Sequence, residues 1–118
     1  MPEIDFDRAL RALDGNTELL RDLAVMFVED TPILFEKLRL AVTDRHPKQA
    51  GAIVHSLKGL IATFFAKTGV DVAQRLEESF TSGELDLLNS SEIDRLEDFT
   101  SLLTLEFESL GWTVERQS

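Results

Sequence analysis

The segment PKQAGAIVHSLKGLIATFFAK, residues 47–67, has the period of an α-helix with one apolar side. At about 100° per residue, eight side chains fall in a single sector that is expected to face a protein core. They are Ala50, Ile53, Val54, Leu57, Leu60, Ile61, Phe64 and Phe65. His55 falls nearly opposite this sector, so we expect its imidazole on the outer surface of the helix; a satisfied histidine inside the core is the less favoured alternative.

The surface around His55 is built from small side chains. On a helix, the neighbours of a residue are those three, four and seven positions away, here Lys48, Gly51, Ala52, Lys58, Gly59 and Ala62. Each glycine inside a helix costs about 1 kcal/mol relative to alanine, so something must offset that cost. We expect the gain to be clearance for a partner protein, and close packing of a neighbouring helix is the alternative. The residues assigned to partner contact are Lys48, Gly51, Ala52 and Ala62.

The charge distribution sets this segment apart from the rest of the chain. The net charge is −10, from 12 basic and 22 acidic residues, and a surface of this sign repels nucleic acid. Residues 45–70 contain no acidic residue and carry +4, so the remainder carries −14. Chance drift in composition is the alternative explanation for this basic stretch.

The flanking sequence predicts further helices. A short one covers residues 4–13, and a long one, capped by Asn16 or Thr17, extends to about residue 43. Pro32 either occupies the first turn of a new helix or kinks a continuous one.

After residue 67, Gly69 is expected to end the central helix, and another helix follows over about residues 70–81. A capping arrangement at Ser91 and Asp94 predicts the start of the last helix, which extends to about residue 110. Together these elements predict an all-α fold, an up-and-down four-helix bundle with a short additional N-terminal helix. We expect one domain over residues 1–118, with its core at about 4–110 and a loose tail in which only Trp112 packs.

The composition excludes several classes of protein. The chain has no cysteine, so disulfides and thiolate metal sites are excluded. No apolar run approaches the ~20 residues of a membrane span, and the acidic N-terminus is not that of a signal peptide. We therefore expect a cytoplasmic protein without membrane contact.

The histidine and the lysine one turn away suggest phosphoryl chemistry. A neutral imidazole is a good nucleophile near neutral pH and can hold a phosphoryl group covalently. Lys58 can stabilise the resulting negative charge, and Gly59 leaves the ring accessible. The sequence lacks the residues that other chemistries require. It has no GxxxxGK[ST] loop for ATP, no Glu-x-x-His pair for a di-iron site, no set of zinc ligands and no GxSxG elbow of a hydrolase. We therefore expect no cofactor, no metal and no ATP site of its own, which argues against an autokinase.

The string HSLKGLIATFFA, residues 55–66, resembles the signature helix of histidine-containing phosphotransfer (Hpt) domains, whose usual form is close to H-S-L-K-G-S-A-A-N-L-G-A. The flanks over about residues 4–110 resemble the family less specifically. The resemblance implies that His55 is the phosphorylated histidine, Lys58 the stabilising lysine and Gly59 the glycine beside the ring. Leu60 and Phe65 depart from the pattern, and both fall in the inward sector, so we expect altered core packing there.

The resemblance also implies the partners. A phosphorelay intermediate exchanges its phosphoryl group with receiver domains and a sensor or hybrid histidine kinase, and the partner supplies Mg²⁺ and the aspartate. A helical adaptor that is never phosphorylated is the alternative. We expect a monomer, and the starting Met1 with a complete bundle favours a free-standing protein. Family members dock partners on apolar residues of the first helices; Leu10, Met26 and Ile33 are candidates, although we favour a core position for each.

Overall fold

The computed structural model describes residues 4–83, 85 and 87–112, and only the backbone of residues 87–89. These residues form five α-helices and no strand, so the all-α class is confirmed. The helices are α1 (Phe6–Ala12), α2 (Thr17–Thr43), α3 (Pro47–Ala62), α4 (Lys67–Thr81) and α5 (Leu87–Ser109). Helix α3 packs between α2 and α4, α5 packs against both α4 and α2, and α1 lies against α2.

Helix α2 is continuous through its proline. The Asn16 side chain accepts a hydrogen bond from the backbone N–H of Leu19, which makes Asn16 the cap. Pro32 is exposed, whereas its neighbours Thr31 and Phe35 are buried in the core. Because the core contacts hold α2 on both sides of the proline, the chain tolerates the lost backbone hydrogen bond and no new helix begins there.

The junction between α3 and α4 differs from the prediction. Helix α3 ends at Ala62, before the predicted end at about residue 67, and Gly69 lies inside α4 instead of ending α3. The break falls at Phe65, whose φ of 55° is left-handed and incompatible with a continuing helix. Gly69 serves packing, because a Cβ at this position would lie 2.5 Å from the ring of Phe99.

The start of α5 was also predicted wrongly. The helix begins at Leu87, so Ser91 lies inside it and does not cap it. At the other end, Trp112 packs edge-on against Phe6 and stacks near Phe107, with ring centroids 5.8 Å and 6.4 Å apart. The predicted packing of Trp112 is confirmed, and the rest of the predicted loose tail, residues 113–118, lies outside the described residues.

The core confirms the amphipathic reading of residues 47–67. Five members of the predicted inward sector are fully buried, namely Ala50, Val54, Leu57, Ile61 and Phe64. The other three, Ile53, Leu60 and Phe65, are partly buried and pack against that core. The two positions that depart from the family pattern therefore contribute to packing, as predicted. This buried face fixes the rotation of α3 and consequently which residues it presents outward.

Candidate functional site

His55 lies on the outer face of α3, as predicted. Its neighbour Val54 is fully buried, and so is Leu57, so the helix cannot rotate without exposing core residues. The His55 side chain is 68% exposed. The ring is therefore open to an incoming partner, and the alternative of a buried core histidine is wrong.

The imidazole is oriented by a residue that the sequence reasoning missed. Nδ1 of His55 lies 2.9 Å from Oε2 of Glu77, which lies in the C-terminal half of α4. An ionised carboxylate can only accept hydrogen bonds, so Nδ1 must carry the hydrogen in this contact. In the neutral ring, Nε2 is then unprotonated and holds the lone pair. The contact leaves the nucleophilic nitrogen on the side of the ring away from Glu77.

Lys58 shares the same carboxylate. Its Nζ lies 2.6 Å from Oε1 of Glu77 and donates a hydrogen bond of 2.8 Å to Oε1 of Gln74. The side chains of Lys58 and Glu77 are only 22% and 23% exposed. The Lys58 ammonium lowers the pKa of Glu77 below its ordinary value; burial opposes this effect, and the hydrogen bond with His55 adds to it. Glu77 is therefore held as the carboxylate.

Gln74 extends this set of contacts along α4. Its Nε2 donates to Oε2 of Glu78 over 2.9 Å, so its Oε1 is the atom turned toward Lys58. We call the four linked residues His55, Lys58, Gln74 and Glu77 the α3–α4 network. The outward face of α4 could be predicted from the buried Val72, Ala73, Leu76 and Phe80, but sequence alone does not show which outward residues adjoin His55.

The small residues around His55 divide into two groups. Ala52 and Ala62 are exposed, and a Cβ added at Gly59 would have no neighbour within 4 Å among the described residues. These three leave the predicted clearance. Gly51 instead is buried, with an added Cβ 3.5 Å from Cβ of Phe80. Its place on the outward surface was wrongly expected, because it lies against α4, where an added Cβ would make an ordinary van der Waals contact.

Lys48 borders a groove beside the histidine. The groove has a volume of about 680 Å³ and lies between α3 and α4, next to His55 and Glu77. Lys48 is exposed at its edge. The structure therefore brings Lys48 near the site without joining it to the α3–α4 network.

The candidate docking residues on α2 are more exposed than predicted. Met26 is 48% and Ile33 is 53% exposed, so the favoured core positions were wrong for both, whereas Leu10 is half-buried. Two further exposed residues of α2, Leu19 and Leu40, continue the spacing of Met26 and Ile33. Together the four occupy every seventh position of the helix. We call Leu19, Met26, Ile33 and Leu40 the α2 stripe. Ile33 lines a cleft together with Ser56 and Gly59, so the stripe reaches the neighbourhood of His55.

Comparison with known proteins identifies the family. The model of the Hpt domain matches residues 22–109, and the chain belongs to this family. It is thus a histidine phosphotransfer intermediate of phosphorelay signalling, a carrier and not an enzyme of the usual kind. Hpt domains in general interact with receiver domains and histidine kinases.

A solved structure shows the same fold. The histidine-containing phosphotransfer protein B (HptB) of Pseudomonas aeruginosa PAO1 aligns with a TM-score of 0.81 and 25% sequence identity, covering 92% of this chain and 93% of that one. None of the curated proteins compared with the chain matches it. None of the helices in the described part of the chain combines the length and the apolar character of a membrane-spanning segment.

Proposed function

We propose that Nε2 of His55 accepts a phosphoryl group from the phosphorylated aspartate of one receiver domain and passes it to another. The observation that carries this proposal is the exposed ring whose Nδ1 faces Glu77 at 2.9 Å. In the forward step the Nε2 lone pair forms the bond to phosphorus. The bond between phosphorus and the aspartate oxygen breaks, and its electron pair returns to the carboxylate.

Lys58 stabilises the phosphoryl group in this proposal. Its ammonium has three N–H donors, and two of them face Glu77 and Gln74. The third is available to a phosphoryl oxygen beside the ring, where charge stabilisation and positioning are the main contributions to transfer. Gly59 supports the assignment, because it lies one turn from His55 and an added Cβ there would have no neighbour within 4 Å among the described residues, so this part of the surface is open.

The partner completes the chemistry. The receiver supplies the aspartate and the Mg²⁺, and the phosphoryl group comes from the receiver and not from ATP bound by this chain. The receiver docks across the α2 stripe and the exposed Ala52 and Ala62, with Lys48 at the edge. An apolar patch of this kind beside a reactive group is typical of a protein interaction site. The chain acts as a cytoplasmic monomer whose helices α2 to α5 run alternately up and down, an arrangement that their pairwise packing supports.

Incubation with a receiver domain phosphorylated on its aspartate tests the assignment. Wild-type protein is expected to take up the label, and His55→Gln is expected to take up none. His46→Gln is the matched control, because it removes the other histidine, which caps α3 without a side-chain hydrogen bond. Labelling of His55→Gln at the wild-type level would contradict the assignment. Receiver binding without any labelling of the wild type would indicate an adaptor instead.

A further inference from the structure

The contact between His55 and Glu77 has a consequence for the phosphorylated state. We infer that Glu77 keeps Nδ1 of the phosphorylated ring protonated, which makes this chain a rapid phosphoryl donor and a poor phosphoryl store. This inference rests on the proposed function and deepens it, because it concerns how the phosphoryl group leaves. A phosphoryl group on Nε2 lies on the side of the ring opposite Nδ1, so the 2.9 Å contact with Glu77 can persist after phosphorylation.

The protonation of Nδ1 decides how good a leaving group the ring is. In onward transfer, an aspartate oxygen of the receiver forms a bond to phosphorus, and the bond between phosphorus and Nε2 breaks. The electron pair of that bond stays on Nε2. A ring that keeps its Nδ1 hydrogen leaves as neutral imidazole, whereas a ring without it must leave as an imidazolide anion. Because the neutral species is by far the better leaving group, the protonated phosphohistidine is the reactive donor.

Glu77 is suited to hold that proton because it stays ionised. Lys58 lies 2.6 Å from its other oxygen, and the Glu77 side chain is only 23% exposed, so water competes only partly for the carboxylate lone pairs. When the ring is protonated, both partners of this hydrogen bond are charged, so the contact gains a Coulomb attraction that a neutral ring does not have. The same contact therefore stabilises the protonated phosphorylated ring more than it stabilises the neutral free ring.

The other charges near the ring do not replace Glu77. On α3, the positive charge of Lys58 disfavours a positively charged ring, but this charge is paired with Glu77. Lys48, also on α3, is exposed at the edge of the groove. On α2, Asp30 and Lys37 border the cleft beside Gly59 and carry opposite charges.

On α4, the next carboxylate is Glu78, which accepts from Gln74 and not from His55. Glu78→Gln therefore removes one negative charge from the same helix without touching the ring, and its amide oxygen can still accept the hydrogen bond from Gln74. It is the matched control for Glu77→Gln, since both variants change the net charge equally and keep the side-chain size.

The experiment follows the phosphorylated protein directly. Wild type, Glu77→Gln and Glu78→Gln are phosphorylated with phosphoramidate, a small-molecule donor, and the reagent is removed. Phosphorus NMR then records the lifetime of the phosphohistidine and its transfer to an unphosphorylated receiver between about pH 6 and pH 9, per mole of phosphohistidine. Circular dichroism verifies that each variant is folded.

For Glu77→Gln we expect the pH profile of transfer to move down by about one unit, which makes transfer near pH 8 about tenfold slower and the phosphohistidine longer-lived. Glu78→Gln is expected to follow the wild type. Coinciding profiles for Glu77→Gln and Glu78→Gln would overturn the inference and leave the proposed function intact. Failure of the wild type to form phosphohistidine at His55 from a phosphorylated receiver would instead overturn the proposed function itself.

Discussion

Helix α4 has two sides with different roles, one in the candidate site and one in packing. The side facing α3 presents Gln74 and Glu77 to Lys58 and His55 through short polar contacts. The side facing α5, which also reaches the buried Ile61 of α3, is packed so closely that there is no room for a Cβ at Gly69 beside Phe99. The comparison indicates that chemistry and stability are separable in this helix. Changes on the α3 side should alter phosphoryl transfer in a folded protein, whereas changes on the α5 side should alter the free energy of unfolding.

The largest expected effect is on the α3 side. Lys58→Met removes the cation beside the phosphoryl group but keeps an apolar stem of similar length. We expect phosphoryl transfer from a receiver to slow by about 100-fold, the size of effect seen when one charge-stabilising group is lost. Rapid-quench kinetics with a labelled receiver measures it. Lys67→Met, which removes an exposed lysine paired with Asp71, is the control and should retain the wild-type rate.

A substitution on the α5 side of α4 should lower the stability of the protein and leave phosphoryl transfer unchanged. Gly69→Ala places a Cβ 2.5 Å from the ring of Phe99 and 2.9 Å from a methyl group of Ile61. We expect a loss of about 1–3 kcal/mol in the free energy of unfolding, measured by urea denaturation, with transfer by the folded protein unchanged.

Gly59→Ala is the matched glycine control. It has open space for its Cβ among the described residues and lies inside α3, so we expect a gain of up to about 1 kcal/mol in stability. Equal destabilisation of the two variants would remove the distinction between the two glycines.

The pH dependence of stability provides a smaller effect. The pKa of Glu77 is lowered in the folded protein, chiefly by the Lys58 ammonium. The unfolded chain therefore binds the proton more readily, and the contribution of Glu77 is present above the ordinary pKa of a glutamate. It is lost as the pH falls through the lower folded-state pKa. We expect the stability difference between wild type and Glu77→Gln to be at most about 1 kcal/mol at neutral pH and to vanish in acid. Urea denaturation as a function of pH measures it, and a difference that grows in acid would contradict the assignment.

The smallest effect concerns the surface between α4 and α5. Arg75 lies 3.5 Å from Glu92, and its side chain is 55% exposed. Glu92 is 29% exposed and also pairs with Arg95 at 3.0 Å, so it keeps a cationic partner when the solvent-screened Arg75 is lost. Arg75→Gln is expected to change the free energy of unfolding by less than about 0.5 kcal/mol and transfer not at all. A loss of several kcal/mol would show that this side depends on ion pairs and not on packing.

Much of the fold could be predicted because the hydrophobic period fixes helix faces. The inward sector around Val54 and Leu57 placed His55 on the surface, and Asn16 was one of the two caps, Asn16 or Thr17, that local chemistry predicted. Helix ends were less predictable. Gly69 looks like a terminator in sequence, but it is a packing residue whose role depends on Phe99, thirty positions away. The actual break uses Phe65 in a left-handed conformation, which residue type alone does not suggest.

The candidate site was predicted only in part, because some of its contacts join residues that are distant in the sequence. His55, Lys58 and Gly59 share one helix, so their spacing determines their proximity. Glu77 comes from another helix, and its contact with Nδ1 depends on the rotation and register of α4 against α3. Gly51 shows the reverse error, because a residue close to His55 in the helical pattern proved to face Phe80.

The position of the phosphoryl group on the ring tests the account most directly. Wild-type protein labelled with ¹⁵N in its histidines is phosphorylated by a receiver, and nitrogen–phosphorus coupling identifies the bonded nitrogen. With Glu77 occupying the Nδ1 side, we predict a single phosphohistidine, at His55, bonded through Nε2. A phosphoryl group on Nδ1 of His55, or on His46, would contradict it.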